Sequence, residues 1–176
     1  MGLMDTPVAS GSGPPRHARV EHPVSFELFF AEQQVRLLRA SFVLTGNPQE
    51  AEELTQEAFL SVWERWDRVA VMKDPIGYLY RTALNRQRSK RRMLQRAAKC
   101  LVGGANDGDA FAVADERDAM ARALAHLSPR QRAAIVLTSM LGFGTEEAAR
   151  ILDVRPATVR SLTSQGRAAM REVLDR

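Results

Sequence analysis

Apolar positions along this chain recur at steps of three and four residues, and no stretch competes as the two-residue alternation of a half-buried strand. From Ser25 to about Thr45 the register holds Phe26, Phe29, Phe30, Gln33, Leu37, Ala40, Ser41 and Leu44, with Ser25 placed to cap the helix and Gly46 to stop it. Asn47-Pro48-Gln49-Glu50 then supplies a cap, a proline at the first helical position and a glutamate three residues on. The helix it starts carries Ala51, Leu54, Ala58, Phe59, Val62, Trp63 and Trp66 in a wide stripe, which reads as core for Leu54, Phe59, Val62 and Trp63. Glu53, Gln56, Glu57, Ser61 and Glu64 fall on its polar face. Residues 68–73 (RVAVMK) have no periodicity and read as a loop. Asp74-Pro75 opens a third helix, with Tyr78, Leu79, Tyr80, Ala83 and Leu84 near its start, that continues to about Leu101.

Gly103-Gly104-Ala105-Asn106-Asp107-Gly108-Asp109 breaks the period. Helical spacing returns over Asp115–Leu127, with Ala119, Met120, Ala123, Leu124 and Leu127 on one face. Ser128-Pro129-Arg130-Gln131 is a second capping box and begins a helix through Ala134, Ile135, Leu137, Thr138 and Leu141. Gly142-Phe143-Gly144 ends that helix, and Thr145 is read as the cap of the next, Glu146–Leu152. Asp153-Val154-Arg155 makes a turn, and Pro156 opens a last helix whose inner face carries Val159, Leu162, Thr163, Gly166, Met170 and Val173. The pattern therefore predicts an all-α chain of two small helical domains: a disordered tail over residues 1–24, a domain over 25–101, a flexible linker over 102–114 and a second domain over 115–176.

The last two helices have the form of a helix-turn-helix, with Ala148 and Ala149 small where the helices must cross and Val154 as an apolar plug. Arg155, Ala157, Thr158, Arg160, Ser161 and Ser164 then face outward at the end that enters a major groove, where Arg reads guanine and Ser or Thr bonds bases or phosphates. Thr145 and Arg167 flank this surface, and Arg167 is placed for phosphate. An ordinary helical hairpin is the bland alternative.

Charge changes the picture more by its distribution than by its sum of +4. Residues 47–67 are acidic, and residues 75–105 contain no Asp or Glu while carrying Arg81, Arg86, Arg88, Lys90, Arg91 and Arg92. Two faces of opposite sign point to two different partners. Basic side chains beside Tyr78 and Tyr80 suit a polyanion that also offers flat bases. The single Cys100 and the scattered His17, His22 and His126 make neither a disulfide framework nor a metal site. No apolar run has the length of a membrane span and the N-terminus has no signal-peptide core, so the expectation is a cytoplasmic protein without membrane insertion. With no glycine-rich phosphate loop and no nucleophile–base pair at motif spacing, neither catalysis, a cofactor nor a small-molecule substrate is expected.

Taken together, NPQEAEELTQEAFLSVWERW, then DPIGYLYRTALNRQRSKRR, a linker, and LSPRQRAAIVLTSMLGFGTEEAARILDVRPATVRSLTSQGRAAMREVL resemble bacterial RNA polymerase sigma factors of the small extracytoplasmic-function (ECF) type, which keep only regions two and four. The resemblance spans about Phe26 to Leu174. It implies that Ala51–Trp63 docks on the β′ clamp helices of core RNA polymerase through Glu53, Leu54, Gln56, Glu57, Phe59, Leu60 and Trp63. Residues 68–73, with Arg68 and Lys73, resemble the loop that captures a flipped base of the minus-ten promoter element. Tyr78, Arg81, Asn85, Arg88, Arg91 and Arg92 match the helix that faces the melted strand. The helix-turn-helix would read minus-35 duplex DNA through the residues named above and sit near the β flap, and an anti-sigma factor is a further partner of many members. Family members usually carry Ser or Thr where Arg155-Pro156 stands, and more Arg or Lys at Leu162 and Gln165, which implies a weaker or differently specified duplex contact. The alternative function is a free-standing helix-turn-helix regulator that binds an operator without polymerase.

Overall fold

The computed structural model describes residues 25–101 and 119–175, and all of their side chains except those of residues 98–101. The expected tail, the linker at 102–114 and the start of the second domain lie outside the described residues. The described chain is helical: α1 Phe26–Thr45, α2 Pro48–Trp63, α3 Trp66–Val69, α4 Pro75–Leu101, α5 Ala119–Ala125, α6 Pro129–Ile135, α7 Thr145–Leu152 and α8 Pro156–Leu174.

Most helix ends follow from the local chemistry. The Ser25 hydroxyl accepts from Leu28 N at 3.3 Å, and Gly46 closes α1 with φ 75°, the left-handed region where a side chain is penalised. Asn47 accepts from the amides of Gln49 and Glu50, two donors that α2 leaves unpaired. Asp74 accepts from Gly77 N at 2.8 Å, and its carboxyl folds over the space where a Cβ on residue 77 would stand. Ser128 and Gln131 complete their capping box in both directions. Two starts differ from expectation. Residues 68–73 are not wholly a loop, because α3 winds one turn through Arg68 and buries Val69. Gly144, not Thr145, precedes α7, and Glu147 accepts the Gly144 amide at 2.9 Å; Thr145 is already helical.

Helices α1, α2 and α4 pack as one bundle, and α5 to α8 as another. After Ile135 the helix widens into a π-helical turn, Val136–Met140, where Leu141 N bonds the Val136 carbonyl five residues back. Gly142 turns the chain with φ 78°. In the helix-turn-helix, Ala148 and Ala149 of α7 are buried against Val159 of α8, and Asp153 takes the left-handed conformation with φ 57°. Gly166 lets α8 approach α6: a Cβ there would meet Ile135 Cδ1 at 2.6 Å. The two bundles do not stand apart. Helix α4 packs on α7, α1 packs on α6 and the π-helical turn, and a single apolar core runs through both.

Candidate nucleic-acid and polymerase interfaces

The positive charge of α4 is divided between two faces with different neighbours. On the first, Arg86 donates to the Ser61 hydroxyl through Nε at 3.0 Å and again through Nη2, and it pairs with Glu57 at 3.2 Å. One turn on, Lys90 pairs with Glu53 at 2.9 Å. The hydrogen bond and charge of Lys90 hold the Glu53 carboxyl below the usual carboxylate range, and the same bond raises the Lys90 ammonium. The acidic face of α2 is therefore partly answered inside the chain. Ser61, expected on an open polar face, is buried between Glu57 and Arg86.

On the second face Tyr78, Arg81, Asn85, Arg88 and Arg92 form one stripe at steps of three and four. Asn85 and Arg92 are exposed, Tyr78 is half-buried against the core, and Arg91 lies half-buried beside the stripe. Arg88 is half-buried, and both of its terminal nitrogens donate to the Leu152 carbonyl, at 3.4 and 3.3 Å. Its burial lowers the guanidinium below the ordinary arginine value; Arg130 and Arg92 press the same way, and Asp153 opposes them. Arg81 lies 3.8 Å from the Asp153 carboxylate. Arg68 and Lys73 are exposed on α3 and the turn after it, beside the exposed Val71 and Met72.

The aromatic side chains fall differently from expectation. Trp63 is not core: it is 53% exposed, with its ring centroid 4.9 Å from Phe26. Trp66 is the more buried tryptophan, 5.0 Å from Phe29 and 5.4 Å from Phe26. Tyr80 is unavailable to a base. It is buried edge-on to Phe143 at 5.5 Å, and its burial pushes the phenol up to about 12.

Of the seven residues expected to dock on a partner, Leu54 is core and Phe59 is the floor of a groove of about 200 Å³. Glu53 and Glu57 face α4, while Gln56, Leu60 and Trp63 are open. Phe30, Gln34, Val35, Leu38 and Glu52 line the same groove and were not expected there. The signal was in the sequence: Leu28, Val35, Leu38 and Phe42, at steps of seven, three and four, make a second apolar stripe on α1. All four are exposed.

On α8 the expected reading face is open. Arg155, Ala157, Thr158, Arg160, Ser161, Ser164 and Arg167 are exposed, while Val159 between them is buried. Gln165 donates to the Ser161 hydroxyl at 3.2 Å, and Arg167 donates to the Ser139 hydroxyl at 3.1 Å. Thr145, at the start of α7, is half-buried.

Two family models match the chain in order, Sigma-70 region 2 over residues 29–97 and Sigma-70 region 4 over residues 117–170. The RNA polymerase sigma-E factor of Streptomyces avermitilis is 29% identical over 154 residues, 86% of this chain and 86% of that protein. The ECF RNA polymerase sigma factor SigE of Mycolicibacterium smegmatis is 31% identical over 148 residues, 79% of this chain and 57% of that one. The co-crystal structure of the sigma factor RpoE with the anti-sigma factor NepR from Bartonella quintana has a TM-score of 0.73 at 24% identity, covering 85% of this chain and 96% of the matched chain. CnrH in complex with the cytosolic domain of CnrY shares the fold at a TM-score of 0.54 and 23% identity, covering 85% of this chain and 87% of that one.

Proposed function

Because the chain belongs to the sigma-70 family of RNA polymerase sigma factors, in the ECF class that joins region 2 to region 4, we propose that it captures melted minus-ten DNA on the α4 stripe and reads minus-35 duplex with α8. Family membership itself implies binding to RNA polymerase and promoter-directed initiation, a role that is not enzymatic. The observation that carries the finer reading is the open polar face of α8, with Arg155, Thr158, Arg160, Ser161 and Ser164 exposed around a buried Val159. Such a face lets the N-terminal part of α8 enter a major groove while α7 stays packed behind it. Arg68 and Lys73 flank the exposed Val71 and Met72, a surface suited to a flipped base, and Asn85 and Arg92 continue it along α4. Extracting a base costs a few kcal/mol, which contacts to the single strand alone offset. Melting then needs no catalytic group.

The docking surface for the β′ clamp helices is the groove between α1 and α2, which Gln56 lines, together with the exposed Leu60 and Trp63 of α2. Region 4 lies near the β flap in this arrangement. The neighbours RpoE and CnrH are each complexed with another protein, an anti-sigma factor in the case of RpoE, and a partner of that kind covering the same faces is the expected regulator here.

Run-off transcription with core enzyme on a genomic promoter pool, followed by sequencing of the transcripts, tests the reading. Starts preceded by two spaced elements are expected. No initiation, together with tight duplex binding by the free chain, would favour an operator-binding regulator. Within the reading, Asn85→Ala reduces promoter opening about tenfold, as permanganate reactivity of the melted strand reports, and leaves core binding unchanged. Loss of core binding instead would show that this face of α4 serves the polymerase.

A further inference from the structure

We propose that the outer face of α1 pairs with the same face of a second copy of this chain, antiparallel and about a two-fold axis. Ala31 completes the stripe of Leu28, Val35, Leu38 and Phe42, so that apolar residues recur at steps of three, four, three and four. That spacing is the narrow seam along which two helices interlock, and here it is about 21 Å long. All five residues are exposed, while Phe29, Gln33, Leu37, Ala40 and Leu44 bury the opposite side of the helix. The groove between α1 and α2 takes in Val35 and Leu38 but neither end of the seam. Leu28 and Phe42, 61% and 44% exposed, therefore need a cover of their own.

The charges beside the seam fix the occupant and its direction. Glu32 and Arg39 follow Ala31 and Leu38 on one flank, and both are exposed. Among the described residues neither makes an ion pair. An antiparallel pair that sets Val35 against Leu38 of the second copy also sets the small Ala31 against its large Phe42. In that same register Glu32 comes against Arg39 of the second copy. The two-fold axis repeats each contact, so two pairs of opposite charge form. In a parallel pair the exposed Glu27 would instead face Glu32 of the other copy, and like charges repel. The surface thus complements itself in one direction, as a two-fold interface requires. Val35 and Leu38 also line the groove assigned to the β′ clamp helices, so a copy paired in this way is closed to polymerase. That consequence, unlike the pairing itself, rests on the docking reading given above.

The test is sedimentation velocity of the full chain over about 1–200 µM, the range in which a small interface of this kind assembles. The parent chain is expected to pass from monomer to dimer across it. Glu32→Arg opposes like charges at both pairs and weakens the dimer about tenfold, and Arg39→Glu does the same. The two exchanges together restore the dimer, which no general effect on folding would do. A parent chain that stays monomeric at the top of the range overturns the proposal. So does a dimer that tolerates both single exchanges, or one that the double exchange fails to restore. Core RNA polymerase in excess is expected to draw the dimer into a complex holding one copy. A dimer retained on core enzyme overturns the exclusion. A parent chain that never binds core enzyme refutes the docking reading and the exclusion with it, while the charge exchanges still decide the pairing.

Discussion

Arg132→Ala lowers the unfolding free energy by about 3 kcal/mol or more, seen as a fall in the urea midpoint with little change in slope. Arg132 is buried, and its guanidinium is spread over the ends of two helices. Nε donates to the Leu124 carbonyl at 3.1 Å, Nη2 to those of Ala125 and Leu127 at 3.4 and 3.2 Å, and Nη1 to that of Leu44 at 3.4 Å. The first two of these carbonyls lie in the last turn of α5, and that of Leu44 lies in the last turn of α1. Each is near the negative end of a helix dipole, where a cation is favoured. Alanine takes this donor from the Ala125 and Leu127 carbonyls, which is more expensive than the net value of the bonds themselves, while those of Leu44 and Leu124 keep Gln87 and the Leu127 amide. Arg132→Lys recovers less than half of the loss, because an ammonium lacks the planar fork that serves several acceptors at once. A shift smaller than about 0.5 kcal/mol, the range of an ordinary surface change, would contradict this account.

Replacing Leu60 and Trp63 together by alanine weakens binding to core RNA polymerase by about 2–4 kcal/mol, a loss of roughly 30- to 1,000-fold in a competition assay with labelled protein. These side chains are 57% and 53% exposed beside the groove floored by Phe59, a large apolar surface of the kind that marks a docking site. Glu53→Gln and Glu57→Gln change the same affinity by less than about fivefold, because these carboxylates already face Lys90 and Arg86 across exposed pairs. The contrast between the two sets decides the face. Strong loss at Glu53 or Glu57 with near-normal binding by the Leu60 and Trp63 double variant would place the interface on the α4 side of α2 and refute the groove.

This contrast also shows how far the sequence alone could be read. The helix register around α2 gave Leu54, Phe59 and Val62 as core, all of which are buried. It misplaced Trp63, because a wide stripe does not say which of its edges meets a neighbour. Ser61 and the two glutamates were assigned outward because their polarity fits water, yet two of the cations of α4 lie against them. The second apolar stripe of α1 is legible in its spacing, but spacing alone does not say which of two apolar faces of one helix meets the core.

The sequence by itself determined the helices, most of their caps, the helix-turn-helix and the order of the two sigma regions. All of these rest on interactions within about four residues or on the period of a single helix. Only the tertiary structure decided how the charge of α4 is shared, which face of α2 stays open, and that the bundles meet through Arg36, Arg88 and Arg132. The acceptors there are the carbonyls of Leu141, Leu152 and Leu44, and backbone carbonyls are the same at every position of a sequence. An arginine that will be buried on a helix end 88 residues away is indistinguishable in the chain from one that faces water.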